Sequence, residues 1–298
     1  MTEKPLVSVI INCYNGEKYL RETIDSVQAQ TYENWEIIFW DNQSTDSTAS
    51  IVMSYNDTRI RYFFAPEHTS LGKARNYALK ECCGEIISFL DSDDLWLPRF
   101  LEKVVSVLDT SRMIGIVYSR FVNFEGSKKW LSPQFSGDTI IDLSSLIKCY
   151  NIGMSGAIIK KSIVEKSHHL FDERFSLIED FDFFICNGAC SSVYFVSEPL
   201  MKYRWHNSST SQTKKIKWFE EINCFYEKAK TTSELSEYLP AIKDLWEDYK
   251  VRDLLIKGKK WEALGVIMCK SWTNPSILRY LYPFFFGMER FHNLRTQS

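Results

Sequence analysis

The sequence predicts an α/β fold: a doubly wound, mostly parallel sheet with a helical extension at the C-terminus. Three observations predict it. Short apolar runs, too short for helices and rich in Ile, Val, Phe and Trp, recur through the first hundred residues. Amphipathic stretches with helical spacing separate them, and strand–helix alternation of this kind builds parallel sheets with right-handed crossovers. Beyond about residue 214 only helical spacing remains.

The elements follow in order. The run at 6–11 is a first strand, followed by a polar loop at 12–16 and a helix with Leu20, Ile24 and Val27 on one face. A second strand at 35–40 ends at Asp41. Ser44, Thr45, Asp46, Ser47 and Thr48 are helix N-cap types, and Ile51, Val52 and Tyr55 continue a helix after them. A third strand spans 59–64, and Ala74 and Ala78 sit at helical spacing within 72–80. A fourth strand, 86–90, runs into Asp91-Ser92-Asp93-Asp94. After Pro98 a helix carries Leu101, Val104, Val105 and Leu108. Past Gly115 the alternation loosens into short strands at 116–118, 157–159, 193–196 and 200–203. Helices are expected at 218–229, 239–256 and 261–269. The chain is therefore divided into 1–212, which carries the strand–helix alternation, and 213–298, a helical extension.

The acidic tetrad is the most informative stretch. Three carboxylates in four residues repel one another, and burying them unpaired is costly. A hard divalent cation removes that cost by bridging carboxylates to phosphate oxygens. The end of a buried strand is also where open α/β sheets bind ligands. An acidic turn capping the next helix is the plainer alternative.

Bulk composition narrows the field. The 298 residues are 45% hydrophobic and 25% charged, with 36 basic and 38 acidic side chains and a net charge of −2. Nothing in that balance suggests nucleic acid. No signal peptide is read at the N-terminus, and no uncharged apolar run approaches the ~18 residues of a membrane span. The eight cysteines include no C-x-x-C pair, and several, Cys13 and Cys186 among them, lie in apolar surroundings. Reduced thiols in a cytoplasmic protein are expected.

Four segments should converge on one sheet edge. They bring Asn12, Tyr14 and Asn15; Asp41 and Asn42; Lys73 and Arg75; and Asp91 and Asp93. A nucleoside diphosphate needs such a set: a ring to stack the base, hydrogen-bonding groups for base and ribose, and positive charge for the diphosphate.

These segments resemble family 2 glycosyltransferases of the GT-A fold. The run 7–15 is similar to that family's first strand and loop. Asp41-Asn42-Gln43-Ser44-Thr45-Asp46 is similar to its D-D/N-x-S-x-D segment, and Gly72-Lys73-Ala74-Arg75-Asn76 to G-x-A-R-N. Asp91-Ser92-Asp93-Asp94 resembles its D-x-D motif and Glu179-Asp180 its E-D pair. Five weak motifs in order over roughly 5–210 make a strong resemblance. It implies an inverting, metal-dependent transfer of a sugar from a nucleotide-sugar donor, a UDP-sugar by resemblance, to a hydroxyl of a glycan or lipid-linked acceptor in cell-surface polysaccharide synthesis. It implies Asp93 as a ligand of Mn²⁺ or Mg²⁺ and Asp91 as a contact to ribose or metal. Tyr14 would line the base pocket, with Asp41 or Asn42 bonding the base and Asp180 as catalytic base. Many members carry two acids where this chain has Asp41-Asn42, which weakens any inference that the base is uracil. Tyr203-Arg204-Trp205-His206 is similar to a late Y-R-x-H segment, so His206 would reach metal or diphosphate, and Arg204 would brace the loop.

Other readings stand beside this one. A nucleotidyltransferase also uses acidic pairs and metal, but residues 12–16 hold one glycine and no arginine. A dehalogenase-like phosphatase would place its D-x-D after the first strand. A non-catalytic glycan-assembly scaffold would not need both Asp93 and Asp180. The segment 151–156 is either a loop near sugar or acceptor or a plain turn. Trp130, Trp205 and Trp261 suggest carbohydrate stacking, yet with Phe 20, Tyr 15 and Trp 9 most aromatics must be core, and none is assigned to sugar. Residues 257–298 carry seven basic against two acidic side chains among many aromatics. They suit an anionic bilayer surface, which would make the protein peripheral on the inner face of the membrane. Packing on the catalytic domain or on a second copy in a homo-oligomer is the equal alternative.

Overall fold

The computed structural model describes residues 4–133, 136–206 and 218–269. The first strands are β1 (Val7–Cys13), β2 (Trp35–Asp41), β3 (Ile60–Phe64) and β4 (Ile86–Phe89). They alternate with α1 (Leu20–Gln28), α2 (Thr48–Met53) and α3 (Leu71–Glu81). β1 pairs in parallel with β2 and β4, and β2 with β3, so all four end at one edge. Leu20, Ile24 and Val27 of α1 are buried, as their spacing requires. Ser70 caps α3 by accepting from the Lys73 amide.

The second half departs from the expectation. β5 (Leu95–Trp96), β6 (Ile114–Glu125), β7 (Lys128–Ser132), β8 (Thr139–Ile141), β9 (Ala157–Lys160) and β10 (Ser192–Arg204) complete one mixed sheet of ten strands, ordered β3-β2-β1-β4-β9-β6-β10-β5. β9 is antiparallel to β4 and β6, so β6 and its parallel partner β10 end at the same edge as β4. The sheet is thus parallel through its first four strands and mixed beyond them. The expected short strands 193–196 and 200–203 are one strand, continued across register shifts between Val196 and Met201. An apparent gap at Ser197-Glu198-Pro199 hid that continuity, because proline cannot donate to a ladder. Five helices also belong to this half or precede it: α4 (Phe100–Thr110), α5 (Leu143–Lys148), the short 3₁₀ turn Met154–Gly156, α6 (Lys161–Ser167) and α7 (Glu179–Gly188).

The chain clusters into two compact units, 1–215 and 216–298. The described part of the second contains α8 (Trp218–Ala229), α9 (Leu239–Ile256) and α10 (Lys260–Cys269). Trp246 on α9 donates its indole N–H to Asn223 on α8 at 2.8 Å. Val251, Leu254 and Leu255 pack on Ala263 and Ile267. Residues 207–211, which followed His206 in the late segment, and 270–298 of the basic tail lie outside the described residues. Among the described residues no helix is long and apolar enough to cross a membrane. Cys13, Cys82 and Cys186 are buried thiols, while Cys83 and Cys149 are exposed.

Candidate active site

The tetrad sits where the sheet topology delivers it. β4 ends at Phe89; Leu90 and Asp91 emerge at the common edge, and a turn from the Asp94 amide to the Asp91 carbonyl (3.0 Å) compacts the loop. β5 follows at once and pairs antiparallel with Met201 and Lys202 of β10. That pairing brings the end of β10 against the acids. Arg204 donates its amide to Asp94 Oδ1 at 2.9 Å and its Nε to the Asp93 carbonyl at 2.8 Å. Its guanidinium lies over Tyr19 and Phe124, so Arg204 does brace the loop. Ser155 completes the frame. Its hydroxyl donates to Asp94 Oδ2 at 2.6 Å and accepts from the Asp91 amide at 3.1 Å, and its carbonyl accepts the Trp96 indole N–H at 2.6 Å. The segment 151–156 is therefore a support of the acidic loop, which neither sequence reading anticipated. Burial, then the nearby Asp93 and Asp91, raises the Asp94 carboxyl well above the usual range.

Three acids thus have three separate fates. Asp94 is internal, at 1% exposure. Asp91 accepts from Arg75 Nη2 at 3.0 Å. Asp93 Oδ2 lies 2.7 Å from His206 Nε2. Of the expected metal residues Asp93, Asp91 and His206, Asp93 and His206 lie side by side and Asp91 pairs with Arg75. Among the described residues no group of three or more His, Cys, Asp or Glu side chains is placed to hold a metal. A carboxylate and an imidazole side by side fit a cation that takes its remaining ligands from phosphate and water, as Mg²⁺ and Mn²⁺ do.

Arg75 joins this loop to the predicted base. It is 3% exposed, and its other nitrogen, Nη1, lies 3.3 Å from Glu179 Oε1. Phe183 anchors α7 by stacking on Phe171 (4.2 Å) and meeting Phe89 edge-on (5.6 Å). Asn76 pins the Phe171 backbone from both sides, at 2.8 and 2.9 Å. The G-x-A-R-N segment is thus a clamp: its arginine ties charges and its asparagine ties chain. Asp180, in the first turn of α7, accepts from the Tyr150 hydroxyl at 3.3 Å. Burial first, and Glu179 beside it second, push the Asp180 carboxyl up to about 7. Burial raises Tyr150 likewise, with Asp180 adding to it. Tyr150 was invisible in the sequence, an isolated tyrosine in a stretch without periodicity.

The nucleotide-side residues divide. Tyr14 is 53% exposed and its ring lies 4.4 Å from that of His68, a neighbour that no sequence pattern singled out. Asn15 adopts a left-handed backbone (φ 53°) and accepts from the Thr45 amide at 2.8 Å. Asn12 is at the end of β1, its Nδ2 buried without a hydrogen-bond partner. Asp41, expected to bond a base, is fully buried. It accepts from the Ser44 amide (2.7 Å) and the Tyr62 hydroxyl (2.8 Å), which ties the second loop to β3. Asn42 bonds Thr69 through both ends of its amide. Lys73 pairs with Glu67 at 3.0 Å and is not brought to the acids. It precedes Arg75 by two residues, roughly 200° around the helix.

The match to known proteins follows this geometry. Residues 8–167 match Glycosyl transferase family 2. A glycosyltransferase of Rickettsia prowazekii is 31% identical over 287 residues, 93% of this chain and 83% of that protein. One of Rickettsia typhi is 36% identical over 217 residues, 71% and 68% of the two chains. The Escherichia coli UDP-Glc:alpha-D-GlcNAc-diphosphoundecaprenol beta-1,3-glucosyltransferase WfgD is 32% identical over 53% of this chain and 62% of its own. This chain spans only about a third of three other rickettsial relatives. Staphylococcus aureus TarS 1–349 in complex with UDP-GlcNAc shares the fold at TM-score 0.68 and 19% identity, over 97% of this chain and 83% of that one. The chain belongs to glycosyltransferase family 2, with a GT-A-like α/β fold.

Proposed function

We propose that this glycosyltransferase moves a sugar from a UDP-sugar to a hydroxyl of a lipid-linked glycan in cell-surface polysaccharide synthesis, with inversion at the anomeric carbon. The observation that carries the reading is the buried Arg75, which holds the D-x-D loop and the E-D helix at one site through Asp91 and Glu179. The name of WfgD, a UDP-glucose enzyme acting on a diphosphoundecaprenol-linked sugar, supports the donor and acceptor classes.

Each residue has a task. Tyr14 and His68 offer a ring surface to the base. Asp93 and His206 would hold Mn²⁺ or Mg²⁺, which when bound would offset the charge that develops on the leaving diphosphate. Asp180 takes the proton of the attacking hydroxyl as its oxygen bonds the anomeric carbon and the bond to diphosphate breaks. A carboxylate with its proton affinity raised to about 7 is matched to that work near neutral pH.

The nucleotidyltransferase alternative finds no support in the first loop. The amides of Asn15, Gly16 and Glu17 donate to Ser44, Thr48 and Asp46, so these three hold the second loop and are not offered to a phosphate.

Chelation by EDTA should lower transfer from UDP-glucose or UDP-GlcNAc by about 10²–10³-fold, and added Mn²⁺ should restore it. Asp93→Ala should be low with or without Mn²⁺ while melting as the parent does. Full activity after chelation would remove the metal from the scheme. GDP-mannose serves as the donor control, since the Pyrobaculum calidifontis mannosyltransferase that shares the fold (TM-score 0.63, 18% identical) was solved with GDP-Man and Mn²⁺.

The basic segment 257–298 is the part we assign to an anionic membrane. In its described portion Trp261 and Met268 are 81% and 62% exposed, in the same stretch as Lys257, Lys259 and Lys260. The full chain should pellet with phosphatidylglycerol liposomes and a 1–256 truncation should not; equal pelleting would reject the assignment.

A further inference from the structure

One aromatic surface lies outside the machinery described so far. β7 is an edge strand, antiparallel to β6, and its register sets Trp130 opposite Asn123. β10 lies on the other side of β6 and sets Tyr203 opposite the same Asn123. Side chains at paired positions share a face, and Trp205, two residues after Tyr203, joins them there. The indoles of Trp130 and Trp205 stand 5.5 Å apart at 50°, and Tyr203 meets Trp205 edge-on at 6.0 Å. Phe121 extends the row to Tyr203 at 6.0 Å.

A buried amide holds this surface rigid. Asn123 is 3% exposed. Its Oδ1 accepts the Trp205 indole N–H at 2.8 Å, and its Nδ2 donates to the Trp130 carbonyl at 3.4 Å. The Trp205 amide is tied to the Phe124 carbonyl at 2.9 Å. Yet Trp130 keeps 39% of its surface and its neighbour Leu131 42%. Trp130 and Leu131 thus leave adjoining apolar surface open at a sheet edge, and contiguous exposed apolar surface marks interaction sites. The lysines beside it, Lys128 and Lys129, already blunt the edge against strand pairing, so the indole is not needed for that.

The surface leads to the loop that serves Asp180. Phe121 packs against Gly153, where a Cβ would meet its ring at 3.0 Å. Gly153 lies in the same loop as Tyr150, which bonds Asp180, and Ser155, which holds the acidic loop. His206, next after Trp205, turns to the opposite face of the strand, where it lies against Tyr19 and pairs with Asp93. An acceptor that presents one hydroxyl to Asp180 has the rest of its glycan to place, and this row meets the Asp180 loop through Phe121 and Gly153. A pyranose offers one face of C–H groups and a rim of hydroxyls, which suits a half-exposed indole with water at its edge.

From this, resting on the transferase reading above, we propose that Trp130 and Trp205 form the platform on which a sugar ring of the acceptor glycan stacks. The test is saturation-transfer NMR on the full chain with cellobiose, maltose and N,N′-diacetylchitobiose, with farnesyl phosphate as a lipid probe. The parent should saturate the ring C–H protons of at least one saccharide. Trp130→Ala should weaken that contact about ten-fold, and Trp130→Phe should restore most of it. UDP binding with Mn²⁺, followed by thermal shift, should stay unchanged in both variants. No saccharide contact in the parent, equal contact in Trp130→Ala, or a response to farnesyl phosphate alone would overturn the platform. Absence of UDP binding in the parent would instead sink the donor reading, which the saccharide measurement does not touch.

Discussion

Arg75→Met should lower the melting temperature by about 6–12 °C and reduce transfer at least 100-fold. The stability loss follows from what the arginine leaves behind. Glu179 is buried and Asp91 partly so, and their shared guanidinium is 3% exposed. Removing one partner of a buried ion pair strands the others, at a cost of about 3 kcal/mol, the low end of the usual range because Asp91 keeps contact with water. For a chain of this size that corresponds to about 2–4 °C per kcal/mol. The activity loss has a different origin: the D-x-D loop and α7 lose the group that sets their separation, and misplacement by about 1 Å can cost 100-fold. Arg75→Lys should recover stability more than activity, since an ammonium keeps the charge but not the two-pronged geometry. Adding Glu179→Gln to Arg75→Met should return part of the lost stability by removing one stranded charge. Differential scanning calorimetry with coupled turnover measures all three. A melting temperature within about 2 °C of the parent for Arg75→Met would show that the bridge does not hold the site together.

Asp180→Asn should cut kcat by about 10²–10⁴-fold, the range a positioned general base supplies. In the parent, the rate should rise with pH and level off above about 7, because the base acts only when ionised. The asparagine variant should lack that rising limb. Tyr150→Phe should shift it to higher pH, since the tyrosine hydroxyl donates to the Asp180 carboxylate and favours its charged form. Stability should move in the opposite sense from activity. The folded carboxyl holds its proton up to about 7, whereas an unfolded aspartate releases it near ~4. This group's contribution is therefore neutral below about pH 4 and grows unfavourable as pH rises toward 7. Asp180→Asn should accordingly melt higher than the parent at pH 8 and match it at pH 4. A variant that keeps parental kcat would discard Asp180 as the base.

Much of the first half was legible because its signals are local. β1, β2 and β4 are buried along nearly their whole length, so they read as mostly apolar runs, and Leu20, Ile24 and Val27 disclose their helix by spacing alone. Helices α8 and α9 were legible to their ends. β7 and β8 were not, since their exposed edge-strand residues carry no apolar run. β5 is two residues long and exists only because β10 is there to pair with it.

The sequence alone determined that acids and amides would gather at the ends of parallel strands, because each strand deposits its following loop at one edge. It did not determine which of those groups would face outward. Three aspartates within four residues are equal in sequence. The fold buries Asp94 against Ser155, hands Asp91 to an arginine sixteen positions earlier and sets Asp93 beside a histidine more than a hundred positions later. That sorting depends on partners from β10, α3 and the loop at 151–156. Charge pairing and desolvation act through space, and only the folded chain brings those distant positions within reach of one another.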